Sequence, residues 1–210
     1  MSRTKRVLDL ALGLPLLVAT IPVLACIGLA QRLTGDRGSL LFRATRVGEG
    51  GQPIQVLKVR TMREGAAGPP VTRLGDTRIT AIGHWLRRTK LDELPQLANV
   101  VRGEMSLVGP RPESPEFVDW SDPVHVEVFL ARPGMTGLSQ LRFADEEALH
   151  VGSDYQDRYR RVVLPQKVHL DQWYVRHQTL RLDAKILLAT AALMLRRFGT
   201  GGGRAKRLRS

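Results

Sequence analysis

Cysteine is almost absent from this chain of 210 residues, because Cys26 is the only one. One cysteine excludes an internal disulfide and a thiolate cage for a metal ion, and it indicates a reducing compartment. The five histidines are scattered without metal-ligand spacing, which indicates structural or surface roles. Aromatic residues make up only 5% of the chain and no nucleic-acid-binding motif appears, so nucleic acid is not an expected partner.

Acidic residues are few compared with basic ones, which leaves a formal net charge of +12. A charge of this size calls for an anionic partner, such as anionic lipid or a phosphorylated small molecule. The basic residues are 26 arginines and 6 lysines. The forked guanidinium group suits phosphate recognition, but a GC-rich genome produces the same bias, and composition does not separate the two explanations.

Only one segment, residues 7–30, is apolar for long enough to cross a bilayer. It lacks the short apolar core and small-residue cleavage region of a signal peptide. Pro15 and Pro22 interrupt it, and each removes a backbone donor, so a bend is expected, above all at Pro22. Basic residues flank both ends, and a crossing helix would leave one cluster on the wrong side of the membrane. Re-entry with both ends cytoplasmic is therefore favoured, with crossing as the alternative.

Alternating hydrophobicity after the apolar segment predicts two strands around a Gly-rich turn at Glu49–Gln52. In the second strand the alternation places Lys58 and Arg60 on one face, opposite Val59. That face is either solvated or the basic wall of a site. Residues 64–77 predict a flexible loop.

Periodic apolar residues predict helices in the middle and at the end of the chain. A short amphipathic helix is predicted over residues 78–88. Its apolar side is expected to carry Ile79, Ile82, Trp85 and Leu86. Helices are also predicted over residues 155–174 and 183–198, the last too short to span a bilayer but suited to its interface or to the core.

The most informative segment is residues 87–112, where two adjacent acids lie among arginines. Thr89 has the spacing of an N-terminal cap, which predicts Asp92 and Glu93 in the first turn of a helix. Acids in that position can simply complement the helix dipole. Arginines that hold phosphate oxygens beside a free acid, however, suit chemistry on a phosphorylated substrate.

Two rigid loops are predicted to aim arginines at the acid pair. Residues 103–112 hold two glycines and two prolines around Arg111, which fixes an irregular backbone. The second loop consists of Arg132, Pro133, Gly134, Met135, Thr136 and Gly137. Its sequence predicts a rigid turn whose backbone amides can face an anion.

A series of motifs, in order along the chain, resembles the bacterial sugar transferases. The motifs are KRVLDL, the apolar segment with Pro22, RVGEGG, KVRTM, LDELPQLANVVRGEMSLVGPRP, RPGMTGLSQL, LDQWYV and LDAKILLAT. This family comprises monotopic phosphoglycosyl transferases that start glycan assembly on polyprenol phosphate. The resemblance extends over nearly the whole chain, and no membrane bundle precedes it, so the chain is similar to the minimal catalytic form.

The resemblance implies a reaction and roles for the acid pair. A UDP-sugar would give its sugar 1-phosphate to undecaprenyl phosphate, and UMP would be released. Asp92 would be the nucleophile on phosphorus, forming an aspartyl-phosphosugar intermediate. The magnesium ion that the family requires would be associated with Asp92 as well. Glu93 would orient or deprotonate neighbouring groups, or assist the metal.

The resemblance also implies the residues that bind substrate. Arg111 is similar to the family's phosphate-binding arginine, and residues 132–137 to an active-site loop. Four more basic residues fall at basic positions of the family pattern and are expected to hold the diphosphate, with a solvated or lipid-headgroup-facing role as the alternative: Arg87, Arg88, Lys58 and Arg60. Ile21-Pro22 departs from the Ser-Pro pair of some members. The sequence of residues 141–153 also differs, so no role is transferred to it.

The predicted fold class is α+β, with a re-entrant N-terminal membrane helix, a small β-hairpin or sheet and several amphipathic interfacial helices. The expected parts are the membrane helix in residues 1–33, a catalytic domain in 34–198 and a disordered basic tail in 199–210. The expected location is the cytoplasmic face of a bacterial inner membrane. Expected partners are a UDP-sugar, undecaprenyl phosphate, anionic lipid and a homo-oligomeric copy. A non-catalytic basic membrane scaffold and an anionic-ligand-binding protein remain as alternatives.

Overall fold

The computed structural model describes residues 2–35, 38–66, 68, 71–73, 75–146 and 154–199. Helices predominate in these ranges, and a π-helical turn at Tyr159–Val163 joins two of them. The α-helices are α1 Arg3–Leu33, α2 Ala81–Thr89, α3 Gln96–Arg102, α4 Pro123–Phe129, α5 Leu138–Arg142, α6 Tyr155–Arg158, α7 Leu164–Arg176 and α8 Leu180–Gly199. The mixed helix and sheet content agrees with the predicted class.

Two small sheets complete the fold of the described residues. Strands β1 (Leu41–Val47) and β2 (Pro53–Val59) form the predicted antiparallel hairpin. Its turn contains Gly50 at φ 69°, a conformation that glycine adopts without strain. Strands β3 (Ser106–Val108) and β4 (Gly134–Thr136) pair in parallel, although they are far apart in the sequence. This second sheet was not predicted.

Helix α1 is long and apolar enough to cross a membrane. It is continuous through Pro15 and Pro22, so the bend at Pro22 and the re-entrant topology stay predictions. Buried side chains recur along one of its faces, from Lys5 near the start to Ile27 and Gln31 near the end. That face packs against the rest of the protein. Apolar side chains such as Val7, Leu14, Val18, Ile21 and Leu29 are exposed on the remainder of the helix.

Polar contacts at both ends attach α1 to the rest of the chain. Near the start, Lys5 forms an ion pair with Asp183 of α8 at 2.5 Å. One turn later, Asp9 Oδ1 accepts hydrogen bonds from the Ser106 hydroxyl and the Leu107 amide of β3. Near the end, Gln31 Nε2 donates to the carbonyl oxygen of Arg60 at 2.8 Å.

The main core joins the hairpin to the C-terminal helices. Its fully buried members include Val56 of β2, Val100 of α3, Tyr174 of α7 and Ile186 of α8. Burial of such side chains is the main driving force for folding. The core fixes β2, α3 and α7 relative to one another, and these elements carry or border the acid pair.

Several details differ from the sequence-based expectations. Trp85 was expected on the apolar side of α2 but is 48% exposed, whereas Leu86 is fully buried. The last helix begins at Leu180, three residues before its predicted start, and is 20 residues long. The predicted disordered tail lies outside the described residues apart from Gly199, and so does most of the segment 141–153.

Candidate active site

The backbone that presents the acid pair is a tight turn between two helices. Thr89 does not cap the following helix, because it is the last residue of α2 and its hydroxyl donates to carbonyls of that helix. Lys90 then takes a left-handed conformation at φ 61°, which turns the chain. Asp92 and Glu93 lie in a 3₁₀ turn ahead of α3 rather than in the first turn of an α-helix. The predicted cap is therefore wrong, although the acids do precede a helix.

Glu93 is held between two cations. Its Oε1 lies 3.1 Å from Lys58 Nζ and 3.9 Å from Arg111 Nη2. Burial acts to raise the pKa of Glu93, but the charges of Lys58, Lys90 and Arg111 outweigh it and hold that pKa well below its usual range. Glu93 is therefore ionised and fixed in place.

Asp92 is in a different environment from its neighbour. It is only 7% exposed, and its Oδ1 is enclosed with no hydrogen-bond partner among the described residues. Burial and the adjacent Glu93 charge raise the pKa of Asp92, against the opposing charges of Lys58, Lys90 and Arg87. Two neighbouring carboxylates whose pKa values shift in opposite directions are typical of functional sites.

Arg111 lies on a loop whose backbone is fixed by contacts with other segments of the chain. The Arg111 amide donates to Asp171 Oδ2 at 3.1 Å, and Ser139 donates to the same oxygen at 2.9 Å. A Cβ on Gly134 would collide with the backbone of Gly109, so only glycine allows this close approach. The loop therefore has a fixed position and directs Arg111 toward Glu93.

The turn predicted over residues 132–137 is wrong, because this segment contains strand β4. The Gly134 amide donates to the Pro110 carbonyl and is not available to an anion. Thr136 lies beside Thr190 of α8, and Arg132 forms an ion pair with Glu49. Through the hydrogen bond between Gly134 and Pro110, the segment stabilises the loop that carries Arg111. A direct role with substrate stays a prediction for all the residues named for this loop, which are Arg132, Pro133, Gly134, Thr136 and Gly137.

The remaining predicted basic residues are placed at different distances from the acids. Arg87 donates hydrogen bonds to the hydroxyls of Thr61 and Thr72, and its positive charge acts to lower the pKa of Asp92. Arg60 does not form a wall with Lys58, because its guanidinium donates to the Ser39 and Met62 carbonyls. Arg88 is exposed. The structure thus brings Lys58, Arg87 and Arg111 to the acids, and phosphate binding by any of them stays a prediction.

Sequence reasoning missed a second group of charges behind Arg111. Glu113 accepts hydrogen bonds from Tyr159 and Lys167, and Lys167 also contacts Glu146. Burial acts to raise the pKa of Glu113, but Lys167, Arg111 and Arg46 lower it overall. The sequence signal that was available is the position of Lys167 and Asp171, four residues apart, in a helix whose other inward residues are apolar.

The residues present fit a magnesium ion at Asp92. Its enclosed Oδ1, which has no hydrogen-bond partner in the part of the chain that the structure describes, is an oxygen of the kind that Mg²⁺ prefers. No group of three or more His, Cys, Asp or Glu side chains that could hold a metal occurs among the described residues. Magnesium is usually bound through one or two carboxylates together with substrate phosphates. One aspartate is therefore compatible with an ion that binds with the substrate.

Comparison with known proteins gives a consistent result. A family model described as bacterial sugar transferase matches residues 1–197. The UDP-glucose:undecaprenyl-phosphate glucose-1-phosphate transferase of Caulobacter vibrioides is 40% identical over 196 residues, covering 91% of this chain and 69% of that protein. The undecaprenyl-phosphate galactose phosphotransferase of Salmonella typhimurium is 37% identical over 213 residues, covering 93% of this chain but only 41% of that protein. The UDP-glucose:undecaprenyl-phosphate glucose-1-phosphate transferase of Escherichia coli is 36% identical over 192 residues, with 89% and 39% covered.

Proposed function

The chain belongs to the bacterial sugar transferase family, and on that premise we propose that it transfers a sugar 1-phosphate from a UDP-sugar to undecaprenyl phosphate. The names of the relatives support this reaction class, and two of them specify glucose and one galactose. The observation that carries the proposal is the buried Asp92 beside a Glu93 that Lys58 and Arg111 hold in place.

The reaction proceeds in two displacements at one phosphorus atom. A carboxylate oxygen of Asp92 attacks the phosphorus that carries the sugar, the bond to the bridging oxygen breaks, and UMP leaves with that oxygen. A phosphate oxygen of undecaprenyl phosphate then attacks the same phosphorus and expels the Asp92 carboxylate. The product is a polyprenol diphosphate sugar. A covalent intermediate replaces one difficult step by two easier ones.

The charged groups around Asp92 have separate tasks. Arg111 and Arg87 bind the anionic oxygens of the diphosphate, because guanidinium groups match their geometry. Lys58 and Arg111 keep Glu93 ionised, and Glu93 orients the groups around the reacting centre. A magnesium ion held by Asp92 would offset the diphosphate charge and help the leaving group.

We also propose that the protein is monotopic and lies on the cytoplasmic face of a bacterial inner membrane. The exposed apolar side of α1 supports insertion into lipid. The attachment of both ends of α1 to the same body, at Lys5 and at Gln31, supports re-entry rather than crossing. In this arrangement the acid pair lies at the cytoplasmic surface, where both the lipid-borne acceptor and the soluble donor can reach it.

The test is UMP release by the purified chain with undecaprenyl phosphate, magnesium and a panel of UDP-sugars. Asp92→Asn should abolish turnover, because the amide cannot form the acyl phosphate. Asp157→Asn is the matched control, since it makes the same change at an exposed position of α6. Mass spectrometry of the wild type with donor alone should find a sugar-phosphate adduct on Asp92. Near-normal turnover by Asp92→Asn would overturn the assignment of the nucleophile.

A further inference from the structure

A cavity of about 540 Å³ lies outside the acid pair, against the outer face of the hairpin. Its lining combines leucine side chains with two arginines from different elements. The lining residues are Ser39, Leu40, Leu41, Arg43, Gln55, Leu57, Arg102 and Glu104. Successive side chains of a strand point to opposite faces. Leu57 therefore faces this cavity while Lys58 faces Glu93, and the two sites are separate.

The two arginines of the cavity are available to a ligand. Arg43 on β1 and Arg102 at the end of α3 are both exposed, and within the described ranges neither guanidinium has a hydrogen-bonded or ion-paired acceptor. The acid of the cavity, Glu104, already accepts a hydrogen bond from Asn99 at 2.5 Å. Asn99 in turn bonds the backbone of β2, which fixes the end of α3 against the strand.

A second, smaller cavity lies next to the first, at the end of α1. It has a volume of about 130 Å³, shares Leu40 with the larger cavity and is lined by the last turns of α1, at Gly28, Gln31 and Arg32. A Cβ added at Gly28 would lie at ordinary contact distance from the Leu40 side chain. Next to this junction Leu33, Leu41 and Phe42 are exposed. Exposed apolar side chains at the end of α1 and the start of β1 therefore lie near the leucines and arginines of the larger cavity.

We infer that this groove, lined by Leu40, Leu41, Leu57, Arg43 and Arg102, binds the headgroup of an anionic phospholipid. The phosphate lies between Arg43 and Arg102, because guanidinium groups bind phosphate oxygens in a fork. The start of the acyl chains lies on Leu40 and Leu41 and joins the lipid around α1. The inference rests on the proposed membrane attachment of the chain but not on the transfer reaction.

Binding to vesicles tests the groove. The full chain is mixed with vesicles of phosphatidylcholine alone or with phosphatidylglycerol added. The double variant Arg43→Gln/Arg102→Gln should lose roughly tenfold or more in affinity for the anionic vesicles, since each basic residue near such a surface contributes about fivefold. Binding to phosphatidylcholine vesicles should not change. The control is Arg158→Gln/Arg161→Gln, which removes the same charge from exposed positions of the α6 region.

Native mass spectrometry from detergent micelles adds a count of bound lipid. The wild type and the control should retain a phosphatidylglycerol molecule that the Arg43→Gln/Arg102→Gln variant loses. Leu41→Gln, which leaves the charge unchanged, should weaken retention too. Transfer activity in detergent should be unchanged in all of them, and because the lipid readout needs no turnover, an inactive wild type would overturn the proposed reaction alone.

Three results would overturn the inference. Equal losses by the groove variant and the control would mean that only the general surface charge acts. Unchanged affinity in the groove variant would mean that no lipid binds there. Unchanged phosphatidylglycerol binding with a raised KM for undecaprenyl phosphate would assign the groove to the acceptor instead.

Discussion

Glu93 depends on Lys58 for its position and its charge. Lys58→Gln removes the contact at 3.1 Å and leaves Arg111, at 3.9 Å from the same oxygen, and the charge of Lys90. We expect kcat to fall by roughly 10²-fold, the size seen when one preorganised electrostatic partner is lost. Lys185→Gln, at an exposed position of α8, is the control and should be neutral.

A double-mutant cycle separates this role from direct substrate binding by Lys58. If Lys58 acts through Glu93, the variant Lys58→Gln/Glu93→Gln should be no worse than Glu93→Gln alone. Additive losses in kcat would show that the two side chains act independently, and would contradict the pairing.

The buried Asp171 leads to a second prediction at the residue scale, which concerns how the free energy of unfolding depends on pH. Burial raises the pKa of Asp171 to about 7 from 3.8, against hydrogen bonds from Ser139 and the Arg111 amide that favour the charged form. The folded protein therefore holds a proton that the unfolded chain releases, and stability falls as pH rises between those two values. The difference amounts to about 4 kcal/mol at most.

Asp171→Asn should remove this pH dependence, because the amide oxygen still accepts from Arg111 and Ser139 but carries no charge. Urea unfolding in detergent at about pH 5 and about pH 8 measures it, with Asp157→Asn as the exposed control. Identical pH slopes for the wild type and Asp171→Asn would contradict the raised pKa.

The sequence was informative about single residues where a local motif carried the chemistry. Asp92, Glu93 and Arg111 lie in one continuous string, and the structure places them together. Lys58 was found from strand alternation, but Arg60, on the same predicted face, turns to carbonyls of nearby loops. Asp171 and Glu113 were missed because their partners come from distant segments, which no local pattern records.

At the scale of elements, a single substitution should disrupt the attachment of α1 to α8. Lys5 is buried with Asp183 and also donates to the Tyr174 hydroxyl. Lys5→Met leaves Asp183 buried without its cation, which typically costs about 3–5 kcal/mol. We expect a clearly lower melting temperature in detergent, measured by intrinsic fluorescence.

The double variant Lys5→Met/Asp183→Leu checks the cause. Replacing both partners of a buried pair by apolar groups removes the unpaired charge, so most of the lost stability should return. The exposed neighbour change Thr4→Met is the control for the start of α1. A double variant as unstable as Lys5→Met would show that charge pairing is not what holds the helix.

Elements were predicted well where the pattern was local and poorly where pairing was not. The hairpin followed from alternation and a Gly-rich turn, both within 20 residues. Strand β4 was read as a turn because its partner β3 comes from another part of the chain and supplies the hydrogen bonds. The prediction of a cap at Thr89 was wrong because Lys90 adopts a left-handed conformation, which is uncommon for residues other than glycine.

For the whole molecule, the contacts of α1 favour one of the two proposed topologies over the other. Lys5 and Gln31 are about 39 Å apart along the axis of a straight helix at 1.5 Å per residue. This exceeds the hydrocarbon thickness of about 30 Å. Their partners, Asp183 and Arg60, nevertheless belong to one packed body. A crossing helix would break one of these contacts, so both ends of α1 are expected on the same side of the membrane.

Cysteine labelling tests this in cells, because Cys26 is the only native thiol and can be removed by Cys26→Ser. In that background Ser2→Cys and Ser39→Cys report on the two ends of α1, and Asp157→Cys reports on the body of the protein. An impermeant maleimide should label all three in inverted vesicles and none in intact spheroplasts. Labelling of Ser2→Cys from the spheroplast surface, with Ser39→Cys and Asp157→Cys protected there, would show that α1 crosses, because the contact between Lys5 and Asp183 cannot exist across a bilayer.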